Sequence, residues 1–119
     1  MSEKQVWLTE TMWMRNLADL GTVSMDFLEI LPGAVRTPVV HDDGEEILYI
    51  LSGELEMHLG DDKFPVTRGD VIPVPRHVPH GSINRSEAVV HMLAVNSPAF
   101  RPEDEKEAAP PAETEAGQA

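Results

Sequence analysis

The sequence predicts an all-β protein, either a sandwich or a barrel, and three observations lead there. Turn signals recur at close intervals: Asp19-Leu20-Gly21, Pro32-Gly33, Asp42-Asp43-Gly44, Ser52-Gly53, Gly60-Asp61-Asp62, Arg68-Gly69-Asp70 and Pro79-His80-Gly81. Between them lie short runs rich in β-branched and other apolar residues. None of these runs carries the 3.6-residue period of an amphipathic helix.

Taken in chain order, the runs are "TVSMDFLEIL", "EEILYIL", "ELEMHL", "DVIPVP" and "AVVHMLAV". Strand side chains alternate between faces, so Glu46, Leu48 and Ile50 share one face while Ile47, Tyr49 and Leu51 share the other. Both faces are apolar, and a strand of that kind is covered on both sides. A second sheet layer, a partner subunit, or both must provide the cover, and a homodimer is expected. In "ELEMHL" the inward set is Leu55, Met57 and Leu59, which leaves His58 on the polar outer face beside Glu54 and Glu56. Leu48 and Met57 therefore line any cavity between the layers and make it largely apolar. His91 has apolar neighbours on both sides, so two readings stay open: a pocket-lining or supporting role, or a core histidine bonded to backbone. The remaining Met and Trp residues (Met12, Met14, Met25, Met92, Trp7, Trp13) read as core and dimer packing.

A chain of 119 residues has room for one domain, placed at 1–100 with its core at about 22–97. Residues 101–119 hold six acidic and two basic residues, three prolines, and Ala as the only apolar type. Such a segment buries too little surface to offset its ordering entropy, so a disordered acidic tail is expected there. A short helix around Glu103 to Ala109 is the competing expectation. The formal net charge is −12, of which −8 belongs to residues 1–100, so a nucleic-acid partner is not expected. No cysteine is present, which excludes disulfides and thiolate metal sites. The first residues lack the apolar run of a signal peptide, and no segment approaches the ~20 apolar residues of a membrane span. A cytoplasmic protein with no membrane partner is expected.

Two segments carry more than fold information. In "PGAVRTPVVHDDGEEILYILSGELEM" the anchor points are His41, Glu46 five residues on, and Gly53 after six intervening residues. In "GDVIPVPRHVPHGSIN" they are Gly69, Pro75, His80 and Asn84. This pair resembles the two motifs of the cupin family, and the resemblance spans Pro32 to Asn84. It implies a double-stranded β-helix, or jelly-roll, barrel. It also implies that His41, Glu46 and His80, mounted on neighbouring strands and a third, face into the barrel and hold a divalent metal. Gly53, Gly69, Pro75 and Asn84 match positions that shape turns. Two positions depart from the pattern: Val39 stands where the first histidine of the first motif belongs, and His77 where a glycine of the second belongs.

Two imidazoles and one carboxylate suit first-row divalent ions, with Fe(II) favoured over Mn, Ni, Zn or Cu. The competing reading of these three residues is a metal-free pocket whose polar groups bond one another and water. His77 is a candidate replacement ligand, although a turn residue tolerating positive φ is the better reading. Val39, Leu48, Met57 and His91 are candidate pocket-lining residues. Arg15 and Arg36 are candidates for holding a substrate carboxylate, though nothing in the sequence puts them in the pocket.

The function expected is that of a metal-dependent enzyme acting on a small organic substrate, with Glu46 and His80 as catalytic residues. Dioxygenase-like chemistry is favoured because a three-ligand site leaves room for both substrate and O₂. A cyclase, isomerase or lyase, in which Glu46 acts as a general base, is the first alternative. A non-enzymatic ligand-binding module is the second.

Overall fold

A computed structural model describes residues 4–108 as two antiparallel sheets with their apolar faces turned toward each other. The strands are β1 (Val6–Thr9), β2 (Met12–Asp19), β3 (Ser24–Ile30), β4 (Val35–His41), β5 (Glu45–Ser52), β6 (Glu54–Leu59), β7 (Asp62–Thr67), β8 (Val71–Val74), β9 (His80–Ile83), β10 (Val90–Ser97) and β11 (Glu105–Glu107). One sheet has the order β1-β2-β3-β10-β5-β8, and the other β11-β4-β9-β6-β7. This is the jelly-roll barrel that the sequence leads one to expect, with no α-helix among the described residues. In particular, none of them forms a helix long and apolar enough to cross a membrane.

Alternation determines the core. Leu28 and Ile30 on β3, Leu48 and Ile50 on β5, and Met92 and Ala94 on β10 form the inner face of the first sheet. Leu55 and Met57 on β6 and Val66 on β7 face them from the second. Ile47 and Tyr49 lie on the outer face and are exposed, as their alternation with Leu48 and Ile50 requires. Within the second sheet, β9 presses close against its neighbour β4 at Gly81. A Cβ there would lie 2.3 Å from the Arg36 carbonyl oxygen, so a side chain at this position would force the strands apart.

Asn84 locks the start of the loop between β9 and β10 to the end of β3. It is fully buried, and its Nδ2 donates to the carbonyls of Ile30, Leu31 and Ala88 at 3.2, 3.2 and 2.9 Å. Its Oδ1 accepts from the Ser86 backbone N–H and hydroxyl. One amide thus replaces several backbone partners that the chain's change of direction removes.

The structure corrects one expectation. The disordered tail was placed at 101–119, but residues 101–108 are ordered: a 3₁₀ turn at Pro102–Asp104 leads into β11, which pairs with the edge of β4. The segment has too little apolar surface to order by burial. Polar pairing orders it instead, since Asp104 accepts from the Asp43 and Gly44 N–H groups and Lys106 donates to Asp42. The competing helix at 103–109 does not form over its described residues, of which 103–107 belong to the 3₁₀ turn and to β11; the rest of the expected tail, from 109, lies outside the described residues.

Asn84→Ala would leave several buried carbonyls without donors, so we expect a loss of roughly 2–4 kcal/mol in urea unfolding with an unchanged m-value.

Candidate metal centre

His41 is the last residue of β4 and Glu46 the second of β5, joined by the short turn Asp42-Asp43-Gly44. Their strands were read as neighbours, but β4 and β5 belong to different sheets. The turn therefore crosses between layers, and the two side chains approach each other from opposite walls. His80 opens β9, whose register with β4 sets it opposite Val39. The ligand atoms of His41, Glu46 and His80 all lie within 4.8 Å of one another. His41 and His80 are buried, at 4% and 8% exposure, with ring centroids 5.0 Å apart.

The donors point at each other rather than at protein partners. His80 Nδ1 lies 3.2 Å from the Val78 carbonyl oxygen, so that nitrogen carries a proton and donates. Nε2 then presents a lone pair in the neutral ring, 3.2 Å from Glu46 Oε1. An imidazole nitrogen and a carboxylate oxygen at that distance suit one metal ion as shared ligands. His41 Nε2 is buried and lacks a hydrogen bond; Glu105 Oε2, at 3.4 Å, is near enough to act by charge but not aligned to bond. Burial works against the charged form of His41. The carboxylates of Glu105, Glu46 and Asp104 outweigh it, so its pKa lies above the ordinary value. An orphaned imidazole nitrogen, a second with its tautomer fixed by a carbonyl, and a carboxylate together fit a divalent first-row metal.

Glu46 and His80 line a cavity of about 60 Å³, whose walls are mostly apolar and include Leu48 and Met57, as alternation predicts. Its polar lining includes Arg36, a candidate from the sequence, and residues that sequence reasoning missed, among them Asp26, Asn96 and Glu105. Asp26 is 2% exposed and accepts from Asn16 Nδ2 at 3.0 Å. Burial pushes its pKa up and the nearby Glu46 charge adds to this, while the Asn16 bond only partly offsets them. Asn96 is 1% exposed, and neither of its amide atoms has a hydrogen-bond partner among the described residues. Arg36 and Glu105 line the cavity as an ion pair. Burial opposes the charge on Glu105, yet His41 and Arg36 hold its pKa below the usual carboxylate value.

A signal for two of these lay in the sequence. Asp26 continues the inward series with Leu28 and Ile30, and Asn96 continues Met92 and Ala94, each a lone polar residue on an apolar face. Glu105 had no such signal, because it enters from a segment with no apolar pattern.

Other candidates fall elsewhere. His77 sits in a turn at φ 69° and is exposed, with Nδ1 3.9 Å from Asp42 Oδ1; it is not among the converging donors. His91 does not line the pocket. The alternation that turns Met92, Ala94 and Asn96 inward puts it on the outer face, where it meets Glu29 at 3.0 Å and Ser52 at 3.3 Å and stacks near Phe27. Val39 is buried but is not among the cavity-lining residues, whereas Arg36, on the other side of the β4 bulge, is. Arg15 lies on the outer face over the Phe27 ring. His58 is held outside by Glu56, whose carboxyl is lowered to about 2 by Arg85 first and His58 second.

A family model described as the cupin domain matches residues 26–96. An uncharacterised protein of Methanocaldococcus jannaschii is 38% identical over 64 residues, or 54% of this chain and 51% of its own length. The chain thus spans about half the length of that curated relative. Among solved structures, KdgF from a Halomonas species is similar at TM-score 0.77 and 23% identity, over 85% of this chain and 90% of that one. The Streptomyces protein Pac13, described as a nucleoside dehydratase, matches at TM-score 0.75 and 16% identity over 90% of this chain and 84% of its own. A Silicibacter pomeroyi protein described as a sugar phosphate isomerase of the cupin superfamily matches at TM-score 0.68 and 20% identity, over 74% and 60%. At these identities the likeness is one of fold.

Calorimetric titration of chelator-treated protein with Mn(II), Co(II) or Zn(II) tests the centre. One ion per chain is expected to bind, and His80→Ala is expected to weaken binding by more than the ~10–100-fold typical of losing an outer partner.

Proposed function

The chain belongs to the cupin domain family, and on that premise we propose that it is a metal-dependent enzyme acting on a small organic substrate by proton transfer. The observation that carries the proposal is the convergence of His41, Glu46 and His80, two of which, Glu46 and His80, line a cavity that also has Asp26 and Asn96 in its wall. A bound divalent metal supplies Lewis acidity to polarise a carbonyl or enol oxygen, and an iron ion adds chemistry with O₂.

The chain's own residues set the rest. His41 and His80 are fixed by burial and by the Val78 carbonyl, so they orient whatever they hold. Asp26 is a carboxyl on the inner face of β3, kept in place by Asn16, and it takes or returns a proton at the substrate. Asn96 has both a donor and an acceptor free to meet substrate polar groups, which a buried amide requires. The apolar walls exclude water from the proton-transfer step.

A second carboxyl facing the cavity favours isomerisation or elimination over oxygen chemistry. That a nucleoside dehydratase and a sugar phosphate isomerase share the fold supports the same class. Dioxygenase-like chemistry is the second reading, supported by a three-donor set that leaves coordination positions for substrate and O₂.

Exchange of a carbon-bound proton discriminates these readings. Incubating Mn(II)-loaded protein with small hydroxyketones in D₂O and following deuterium incorporation by NMR is expected to show catalysed exchange. Asp26→Asn is expected to slow it by roughly 10²–10⁴-fold. Substrate-dependent oxygen uptake by Fe(II)-loaded protein, without exchange, would establish the second reading; neither activity would leave a binding module.

A homodimer belongs to the same proposal. Ile47, Tyr49 and Val71 are 48%, 39% and 56% exposed on the outer face of the six-stranded sheet, with Tyr49 paired to Val71. An apolar face of this kind is a surface that a second copy covers. Light scattering is expected to give twice the chain mass for the wild type and a single chain mass for Ile47→Lys/Tyr49→Lys.

A further inference from the structure

Arg36 is the one Lys or Arg among the cavity-lining residues, and its guanidinium pairs with the Glu105 carboxylate. The two arrive from positions 69 apart in the chain. Glu105 reaches inward because β11 sets it directly opposite His41 in register, and paired residues share a face. We propose that Arg36 is the anchor for the carboxylate of a small acidic substrate, and that Glu105 is the chain's own occupant of that anchor, displaced when the substrate enters. The inference rests on the reading of the cavity as a substrate site and names the class of substrate.

Three observations carry it. A guanidinium facing an apolar cavity is costly without a counter-anion, so an anion must stand there, from the chain or from outside. Exchanging the Glu105 carboxylate for that of a substrate leaves the charge of the cavity unchanged. The cavity holds about 60 Å³, far below the ~300 Å³ at which ligand pockets usually begin, so a substrate needs something to leave. Finally, the element that carries Glu105 is built to leave. β11 is three residues long and stands at the edge of its sheet, and Lys106 and Glu107 are exposed. Short exposed edge elements open at low cost. The turn that β11 leans on, through Asp104 and the Asp43 and Gly44 N–H groups, joins His41 to Glu46, so release of β11 is felt at the donors. With its carboxylate on Arg36, a substrate must reach the three donors with a second oxygen atom. The fitting class is a small carboxylic acid bearing a hydroxyl or keto oxygen.

Propionate reproduces the end of the Glu105 side chain and serves as the probe. Binding is measured in chelator-treated protein, so the result does not depend on whether a metal binds or a reaction occurs. Glu105→Ala is expected to bind propionate about tenfold more tightly than the wild type, as one charge-assisted pair allows, and Arg36→Gln/Glu105→Ala is expected to lose that gain. Equal binding by Glu105→Ala and wild type, or retained binding in the double variant, would overturn the assignment. If the double variant does not fold, the Arg36 Nε–H resonance of Glu105→Ala decides. A shift on adding propionate supports the anchor; a stationary resonance overturns it. Absence of metal binding in the wild type would remove the enzyme reading while leaving this outcome intact.

Discussion

The whole site depends on burying two imidazoles, a carboxylate and their charged neighbours at one end of an otherwise apolar sandwich. A packed core of Leu, Ile, Val and Met offers no solvation to such groups, so each must find a partner or impose a cost. His80 uses the Val78 carbonyl for one ring nitrogen and faces Glu46 with the other. His41 and Asn96 keep buried atoms unpaired. A fold that needed only stability would fill these positions with apolar side chains, so the unpaired atoms mark the part of the molecule shaped for something other than packing.

The scaffold around the site is stiff where it must be. Asn84 ties the loop after β9 to the end of β3, and Gly81 allows β9 to press against β4 at the point where His80 begins. The turn from β4 to β5 carries His41 and Glu46 across from one sheet to the other, and Asp104 braces it from outside. The donors sit on the longer strands β4, β5 and β9, while Glu105 belongs to β11, the shortest strand among the described residues.

Much of the fold was legible because strand alternation is a local rule. Glu46, Leu48 and Ile50 follow one another on one face whatever the remainder of the chain does, and the structure has them so. Asp26 and Asn96 obeyed the same rule, with Asp26 on the face of Leu28 and Ile30 and Asn96 on that of Met92 and Ala94, yet neither stood out because neither belongs to a motif. β1 and β2 give no strand signal of comparable clarity; β2 gains its order from pairing with β3, and β1 from pairing with β2. His91 was ambiguous because both of its neighbours are apolar, and only the centring of β10 between β3 and β5 fixed its direction.

The sequence by itself determined the all-β class and the two motif segments, while the meeting of His41, Glu46 and His80 was what the resemblance of those segments to the cupin motifs implied. The class and the segments follow from short-range spacing, which the period-2 pleat converts directly into direction. Tertiary structure alone decided the sheet to which each strand belongs, the cavity's size, and the pairing of Arg36 with Glu105. These are contacts between distant segments, governed by how two layers close on each other. A polar segment such as 101–108 carries no burial pattern to forecast them: its order comes from partners on β4 and its turn, and charge pairing leaves no period in the sequence.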